Sequence, residues 1–400
     1  MNREDFPMFK NNPEMVYLDS AATSFKPTCV LDKLNEYYTH YGVNIHRGVY
    51  ELGYKATNEY EKARYTVAKF LNATYDEIIF TRGVTDSLNM ICQMLKDRLD
   101  NKSNVVTSEL EHHSSLLPWM QACHEQGSTL RYIPLTQEGK ITVSNALSVI
   151  DKNTKIVAIT YVSNVMGYIT PLKEIIEAAH KVGALVIVDA AQAAPHMAID
   201  VKELDCDFLG FAGHKICGPT GIGVLYGKKA LLETLTPCDF GGDMIDEVYK
   251  DHCTLKELPY RFESGTVMIS EILGLAKACE YLMNLGFDKI NAYDQTLRSQ
   301  LIEGLKHIDG VELYNPNTDL ALASFNIKGV HPHDAATFYD QDHICIRAGH
   351  HCAELVSRFL GVSGTLRASV YFYNTPEDID KFLKATQGVV DFFKELGGGF

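Results

Sequence analysis

ALVIVDAAQ (184–192) is the stretch that decides the fold. Ala184-Leu-Val-Ile-Val is apolar without alternation and ends on Asp189, with Gln192 three residues further on. A run that is apolar on both faces predicts a central strand of a parallel sheet, covered by helices on each side. Working outward, EIIFT (77–81), NVVTS (104–108), KIVAITYVS (155–163), FLGFAG (208–213) and GIGVLYG (221–227) read as further strands. Amphipathic stretches separate them. Within 55–71, Ala56, Tyr60, Ala63, Val67 and Leu71 fall on one helical face. Pro171 opens another helix that runs to about Val182, where Lys181-Val-Gly closes it. The alternation predicts an α/β fold with a mostly parallel sheet. From about Gly286 the texture changes to a polar helix (291–308), separated strands (311–314, 320–328, 366–372) and a last helix (376–396). The expected organisation is an N-terminal segment 1–16, a large domain 17–285 and a smaller α+β domain 286–400.

Composition narrows the function. Lys plus Arg number 37 against 51 for Asp plus Glu, a net charge of -14. No basic run supplies the phosphate-neutralising face that a nucleic-acid binder needs. The start, Met1-Asn-Arg-Glu-Asp-Phe-Pro, lacks the apolar run of a signal peptide, and no stretch is long enough to span a membrane. Ten cysteines occur without a Cys-x-x-Cys pair, so no metal site is signalled, and reduced thiols in the cytoplasm are expected.

Chemistry gathers around the strand ends. An acid such as Asp189 at the carboxyl end of a buried strand sits where α/β sheets bind ligands. Alone, it would read equally well as a capping or paired Asp. A strand further on, Gly213-His214-Lys215 leads into the turn Gly218-Pro-Thr-Gly221. A lysine in a glycine-rich turn is usually solvated. One held there downstream of a strand-end Asp is what a Schiff-base enzyme needs. The amine binds a carbonyl cofactor and moves a proton, while the acid keeps a pyridine nitrogen protonated. Phe80-Thr-Arg-Gly83-Val-Thr85 has the form strand, tight turn, helix start, which suits a phosphate. His112, in Ser108-Glu-Leu-Glu-His-His, could stack on a ring, although a lone His there is more often a structural hydrogen-bonder.

Cys352 stands in Arg347-Ala-Gly-His-His-Cys-Ala. Any one of ten cysteines is by default a small core residue. Here Arg347, His350 and His351 precede it, and such neighbours are expected to favour the thiolate. Gly349 gives the loop its freedom. Cys345, between Ile344 and Ile346, reads as a strand residue instead.

These stretches together resemble the cysteine desulfurases of the fold-type I pyridoxal-phosphate (PLP) superfamily, aminotransferase class V, and especially the Suf-type, selenocysteine-lyase-like group. The resemblance runs from about Tyr17 to Thr375. Its carriers are Tyr17-Leu-Asp-Ser-Ala-Ala, Asn44-Ile-His-Arg-Gly, Arg82-Gly-Val-Thr, Glu111-His-His, Val162-Ser-Asn-Val-Met-Gly, Val188-Asp-Ala-Ala-Gln, Gly213-His-Lys, Arg261-Phe-Glu-Ser-Gly-Thr, Arg347-Ala-Gly-His-His-Cys-Ala and Leu366-Arg-Ala-Ser. It implies that Lys215 carries PLP covalently, Asp189 faces the pyridine nitrogen, Gln192 reaches the ring hydroxyl and His112 stacks on the ring. Gly83, Thr85 and His214 would hold the phosphate, joined by Thr266 across a homodimer interface. Asn164 and Arg367, with Arg347 near, would bind the carboxylate of L-cysteine. Cys352 would take the sulfur as a persulfide and pass it to a small acceptor protein of the Suf system, for iron–sulfur cluster or sulfur-cofactor assembly.

The pattern also departs from that group. Ala212 stands where a phosphate-binding Ser is usual and Val84 where Thr is common. Two lost hydroxyls would weaken the phosphate clamp by about 0.5–1.5 kcal/mol each. Val267-Met268 replaces Pro-Asn, Glu354-Leu355 replaces Gln-Pro, and Tyr50 takes the place of a His. Two other readings use the same residues: a selenocysteine lyase or other C–S lyase that does not need Cys352, and a PLP-binding protein without turnover.

Overall fold

The computed structural model describes residues 3–396; Met1, Asn2 and residues 397–400, the outer ends of the first and last expected segments, lie outside the described residues. Seven strands form the large sheet: β1 (Ile78–Thr81), β2 (Asn104–Ser108), β3 (Thr129–Ile133), β4 (Thr154–Thr160), β5 (Leu185–Asp189), β6 (Phe208–Ala212) and β7 (Gly223–Gly227). Their order is β1-β7-β6-β5-β4-β2-β3. From β6 through β3 the pairing is parallel, whereas β7 runs against both β6 and β1. Successive residues of one strand feed different cores. Val157, Val188 and Leu209 enter one apolar cluster, and Ile156, Ile187 and Phe208 enter another on the opposite face. That is why the 184–189 run has no polar alternation.

The expected strands are all present, with shorter ends. KIVAITYVS stops at Thr160, because Tyr161–Ser163 bend away; Tyr161 N still donates to Asp189 O, and Val162 makes an isolated bridge to Ile169. The helix expected over 55–71 begins earlier, as Glu51–Leu71, and its five periodic residues are all buried. Arg64 of this helix is fully buried in a bidentate pair with Glu263, and Glu263 also accepts from Phe80 N of β1. Such a pair locks the 263–266 loop onto β1.

The C-terminal sheet is antiparallel: β8 (Val311–Leu313), β9 (Leu322–Ile327), β10 (Arg347–Gly349) and β11 (Thr365–Ser369), in the order β8-β9-β11-β10. It has its own core, including Leu301, Phe325, Ile379 and Phe382. Val16 and Leu18 join that core, and Val16–Tyr17 pairs in parallel with Ile344–Cys345. Asp19 bridges to Ser369 directly afterwards. The start of the chain thus carries Asp19 to the C-terminal sheet. No helix among the described residues is long and apolar enough to cross a membrane.

Candidate functional site

The parallel strands align their carboxyl ends, so the residues that follow them share one edge. Thr160 pairs with Asp189 and Asp189 with Gly210, while Gly223 pairs with both Ala212 and Thr81. Asp189 is buried at the centre of that edge. Its carboxylate accepts from Ala191 N at 2.9 Å, and burial raises its pKa against the pull of that amide and of Lys215. Lys215 ends a single 3-10 turn, Gly213–Lys215, directly after β6. Burial pulls its amine down to about 8, with Asp189 opposing and Arg367 and Arg347 assisting; Cys352 also acts on it. No hydrogen bond to the Lys215 Nζ exists among the described residues. An uncommitted amine of lowered pKa beside a buried acid is a nucleophile in waiting.

Helix α1 (Val84–Leu95) starts on Gly83, at φ 152°, and its Val84, Thr85 and Asp86 amides have no partner among the described residues. A methyl on Gly83 would meet nothing within 4 Å, whereas one on Gly223 would strike the Gly83 backbone at 2.5 Å. Backbone is thereby packed closely beneath an open, amide-lined cup of about 510 Å³, bordered by Gly83, Thr85, Ala212 and His214. An anion fits such a helix start. Burial holds His214 at about 4, so its imidazole is neutral. Ala212 lines the cup with a methyl group where a hydroxyl was expected to be missed, and Val84 stands beside it.

Helix α2 (His113–Gln126) is capped by His112, whose Nδ1 accepts from Ser114 N at 3.1 Å. Burial, then Lys215, lowers His112 to about 3, leaving a neutral ring beside the lysine. The Ser114 hydroxyl meets that of Thr85 at 2.7 Å and joins the two helix starts. Gln192 is buried and spends one amide N–H on Ala21 O, leaving another for a ligand.

At the other wall, Arg347 and Arg367 are direct cross-strand partners of β10 and β11. Like charges placed so repel unless an anion lies between them. Arg367 is buried; its Nη2 donates to Asp19 at 2.9 Å, its Nη1 to Asn164 O at 2.9 Å, and its Nε has no partner. Burial lowers the Arg367 pKa and raises that of Asp19 in spite of their pairing. Asn164 in turn donates to His351 O at 2.8 Å.

Cys352 is exposed, and Arg347 Nη2 stands 4.0 Å from its Sγ. The two histidines do not serve the thiol as the sequence suggested. His350 Nδ1 meets Ser357 Oγ at 3.1 Å, and His351 Nε2 meets Thr365 at 2.9 Å. The reason is backbone: His351 and Cys352 both adopt positive φ, 54° and 56°, which turns the buried His351 ring inward. Burial then holds His351 at about 2. Cys345 lies in the short strand Ile344–Cys345.

Thr266 stands apart. It is exposed, in a cleft with Asn44, Tyr260 and Val267 that has no lining residue in common with the anion cup. Sequence reading gave no role to Asp19, Glu111 or His113, although each lay inside a quoted motif. Glu111 is buried, accepts from Ser108 Oγ, Ser115 Oγ and Thr160 N, and is raised by burial to about 7. A carboxylate beside two serines at a strand end was the available signal.

The family model described as aminotransferase class-V matches residues 16–382. This chain belongs to that family. Its members work with PLP, and PLP is the cofactor here. The chain is 47% identical to a probable cysteine desulfurase of Halalkalibacterium halodurans, over 96% of its own length and 95% of the relative's. The structure of a cysteine desulfurase from Thermococcus onnurineus superposes with a TM-score of 0.94 at 39% identity, covering 98% of this chain and 97% of that one. A cysteine desulfurase from Escherichia coli, solved as an S-sulfonic acid, gives 0.91 at 36% identity, covering 98% of each chain. The free α1 amides suit the phosphate, Asp189 the ring nitrogen and the unpartnered Lys215 amine the aldehyde.

Proposed function

We propose that this chain is a PLP-dependent cysteine desulfurase that converts L-cysteine to L-alanine and keeps the sulfur on Cys352. The observation that carries the reading is convergence: Arg347 and Arg367 are cross-strand partners, Arg347 Nη2 stands 4.0 Å from Cys352 Sγ, and both arginines and Cys352 act electrostatically on the lowered amine of Lys215. PLP supplies an aldehyde for the substrate amine and an electron-poor ring for the charge released at Cα. Arg367 and Asn164 hold the substrate carboxylate, which relieves the repulsion between the two arginines. Lys215 holds the cofactor, then takes the Cα proton. The Cys352 thiolate, with Arg347 Nη2 4.0 Å from its Sγ, attacks the substrate sulfur. The sulfur–Cβ bond breaks, its electron pair goes to Cβ, Cβ gains the proton of the substrate thiol and Lys215 returns the proton to Cα, so alanine leaves and a persulfide remains on Cys352.

The remaining assignments belong to the same reading. Asp189 faces the ring nitrogen, Gln192 the ring hydroxyl, His112 the ring face, and Gly83, Thr85 and His214 the phosphate. The exposed Thr266 completes the phosphate site of the other subunit in a homodimer. Residues 17–285 form the cofactor domain and 286–400 the domain bearing the Cys352 loop. The chain acts in the cytoplasm as a Suf-type enzyme. It gives sulfur to a small acceptor protein with its own cysteine, in support of iron–sulfur cluster or sulfur-cofactor assembly.

The test is Cys352→Ser. After one turnover with cysteine, the wild-type peptide containing Cys352 should gain the mass of one sulfur atom. The Ser variant should keep the cofactor spectrum and release no sulfide. Sulfide release at the wild-type rate would replace the desulfurase with a C–S lyase.

A further inference from the structure

Cys352 is exposed and sits on two consecutive residues of positive φ, a conformation that non-glycine residues leave readily unless they are held. Besides the bond from Asn164 to the His351 carbonyl, two bonds hold it from outside its own loop, and both come from His113. The His113 N–H donates to Cys352 O at 2.7 Å. The His113 ring Nε2 accepts the N–H of Glu354, two residues further on, at 3.1 Å.

The position of His113 explains why one residue can do both. It is the first residue of α2, so its N–H is one of the orphan donors of a helix start. His112 caps Ser114 N, which leaves the His113 N–H free to point at the loop. Glu354 opens the helix α3 (Glu354–Leu360), and its N–H is likewise an orphan. The ring therefore satisfies one helix start with a side chain from another. Because His112 and His113 are adjacent, the residue beside the Lys215 amine and the residue clamping the thiol share one helix start.

We infer that His113 is a positioning residue that holds Cys352 at the substrate sulfur, through the two bonds it makes on either side of the thiol. The inference rests on Cys352 being the sulfur acceptor. Its chemistry is that of an acceptor nitrogen at fixed reach. A side chain with an acceptor at similar reach, such as Gln, preserves the ring bond; an apolar one of similar bulk, such as Leu, removes it and leaves only the backbone bond to Cys352 O.

The experiment uses the holoenzyme. His113→Leu should slow single-turnover sulfur transfer to Cys352 about tenfold, the rate equivalent of about 1.4 kcal/mol, with KM for cysteine unchanged. Iodoacetamide, applied without substrate, should alkylate Cys352 at a clearly different rate in that variant. His113→Gln should restore both quantities towards wild type. A general packing role would change thermal stability and cofactor content instead, and Gln would not rescue it. Glu354→Pro, which removes the same N–H at a helix position that tolerates proline, gives an independent arm. It should reproduce the defect, and adding His113→Leu to it should add nothing. This arm also decides the matter if His113→Leu does not fold. Wild-type transfer and alkylation rates in both single variants would overturn the inference. Failure of the wild type to acquire sulfur on Cys352 would instead overturn the desulfurase reading, which the alkylation rates do not depend on.

Discussion

The pocket has two reactive groups made by opposite means. Lys215 owes its reactivity to desolvation: it follows a strand of the large sheet, has no hydrogen-bond partner among the described residues and is pulled down to about 8. Cys352 is exposed and owes its usefulness to place: an arginine stands 4.0 Å away, and a strained turn is fastened by His113 and, through the His351 carbonyl, by Asn164. A buried strand end resists rearrangement, and a loop can be lifted. One part tunes a pKa and the other sets a distance. The difference suits a reaction in which the proton is moved inside and the sulfur must leave to the outside.

The largest effect should come from removing the buried group. Wild-type protein should be yellow, and borohydride should fix the cofactor to the peptide containing Lys215. Lys215→Ala should be colourless after borohydride treatment and gel filtration, and its turnover should fall by about 10³-fold or more, within the range for a lost acid–base residue. Cys352 in that variant should still be alkylated at the wild-type rate, since its loop is fastened independently of the lysine. Full turnover by Lys215→Ala would end the assignment.

A smaller loss should follow at the wall the two groups share. Arg367→Ala removes a charge-assisted carboxylate contact worth roughly 1.5–3 kcal/mol. The KM for cysteine should rise by tens-fold while the cofactor spectrum stays the same. An unaltered KM would show that Arg347 or another group holds the carboxylate.

The contrast between the two regions also explains what could be read in advance. The strand ends were legible because an apolar run that stops on an acid leaves few alternatives; β2 and β6 fall within a residue of their expected bounds, and the strand expected over 184–191 ends two residues early, at Asp189. β3 was missed: Thr129-Leu-Arg-Tyr-Ile is a partly exposed edge strand with no clean alternation. The helix Ile269–Leu285 was missed for the reverse reason, since ten of its 17 residues are buried and no polar stripe marks its period. The Cys352 loop was legible in membership and illegible in geometry. Sequence adjacency put His350 and His351 beside the thiol, and two positive φ angles turned them to Ser357 and Thr365. Asp19 and His113 show the same limit, for their partners Arg367 and Glu354 are 348 and 241 residues away along the chain.

The smallest effect expected concerns the Lys215 amine itself and needs no turnover. Protein stripped of PLP should be treated with an amine reagent such as cyanate across a pH series, with Lys215 followed by peptide mass spectrometry. Only the neutral amine reacts, so its rate should reach half-maximum near pH 8 and fall about tenfold for each unit below that. Exposed lysines should still be rising near pH 10. The sign follows from the cause: burial disfavours the charged amine, so Lys215 gives up its proton early. Asp189 opposes this with its negative charge, and Asp189→Asn should move the midpoint lower still. The same shift makes the stripped protein gain stability as pH rises from about 8 to 10.5, where the unfolded chain still binds a proton that the folded one has released. Below pH 8 both states are protonated and the dependence from this group vanishes. A Lys215 midpoint indistinguishable from that of the exposed lysines would mean that burial does not tune this amine, and the contrast between a tuned lysine and a positioned cysteine would fail at its better-supported end.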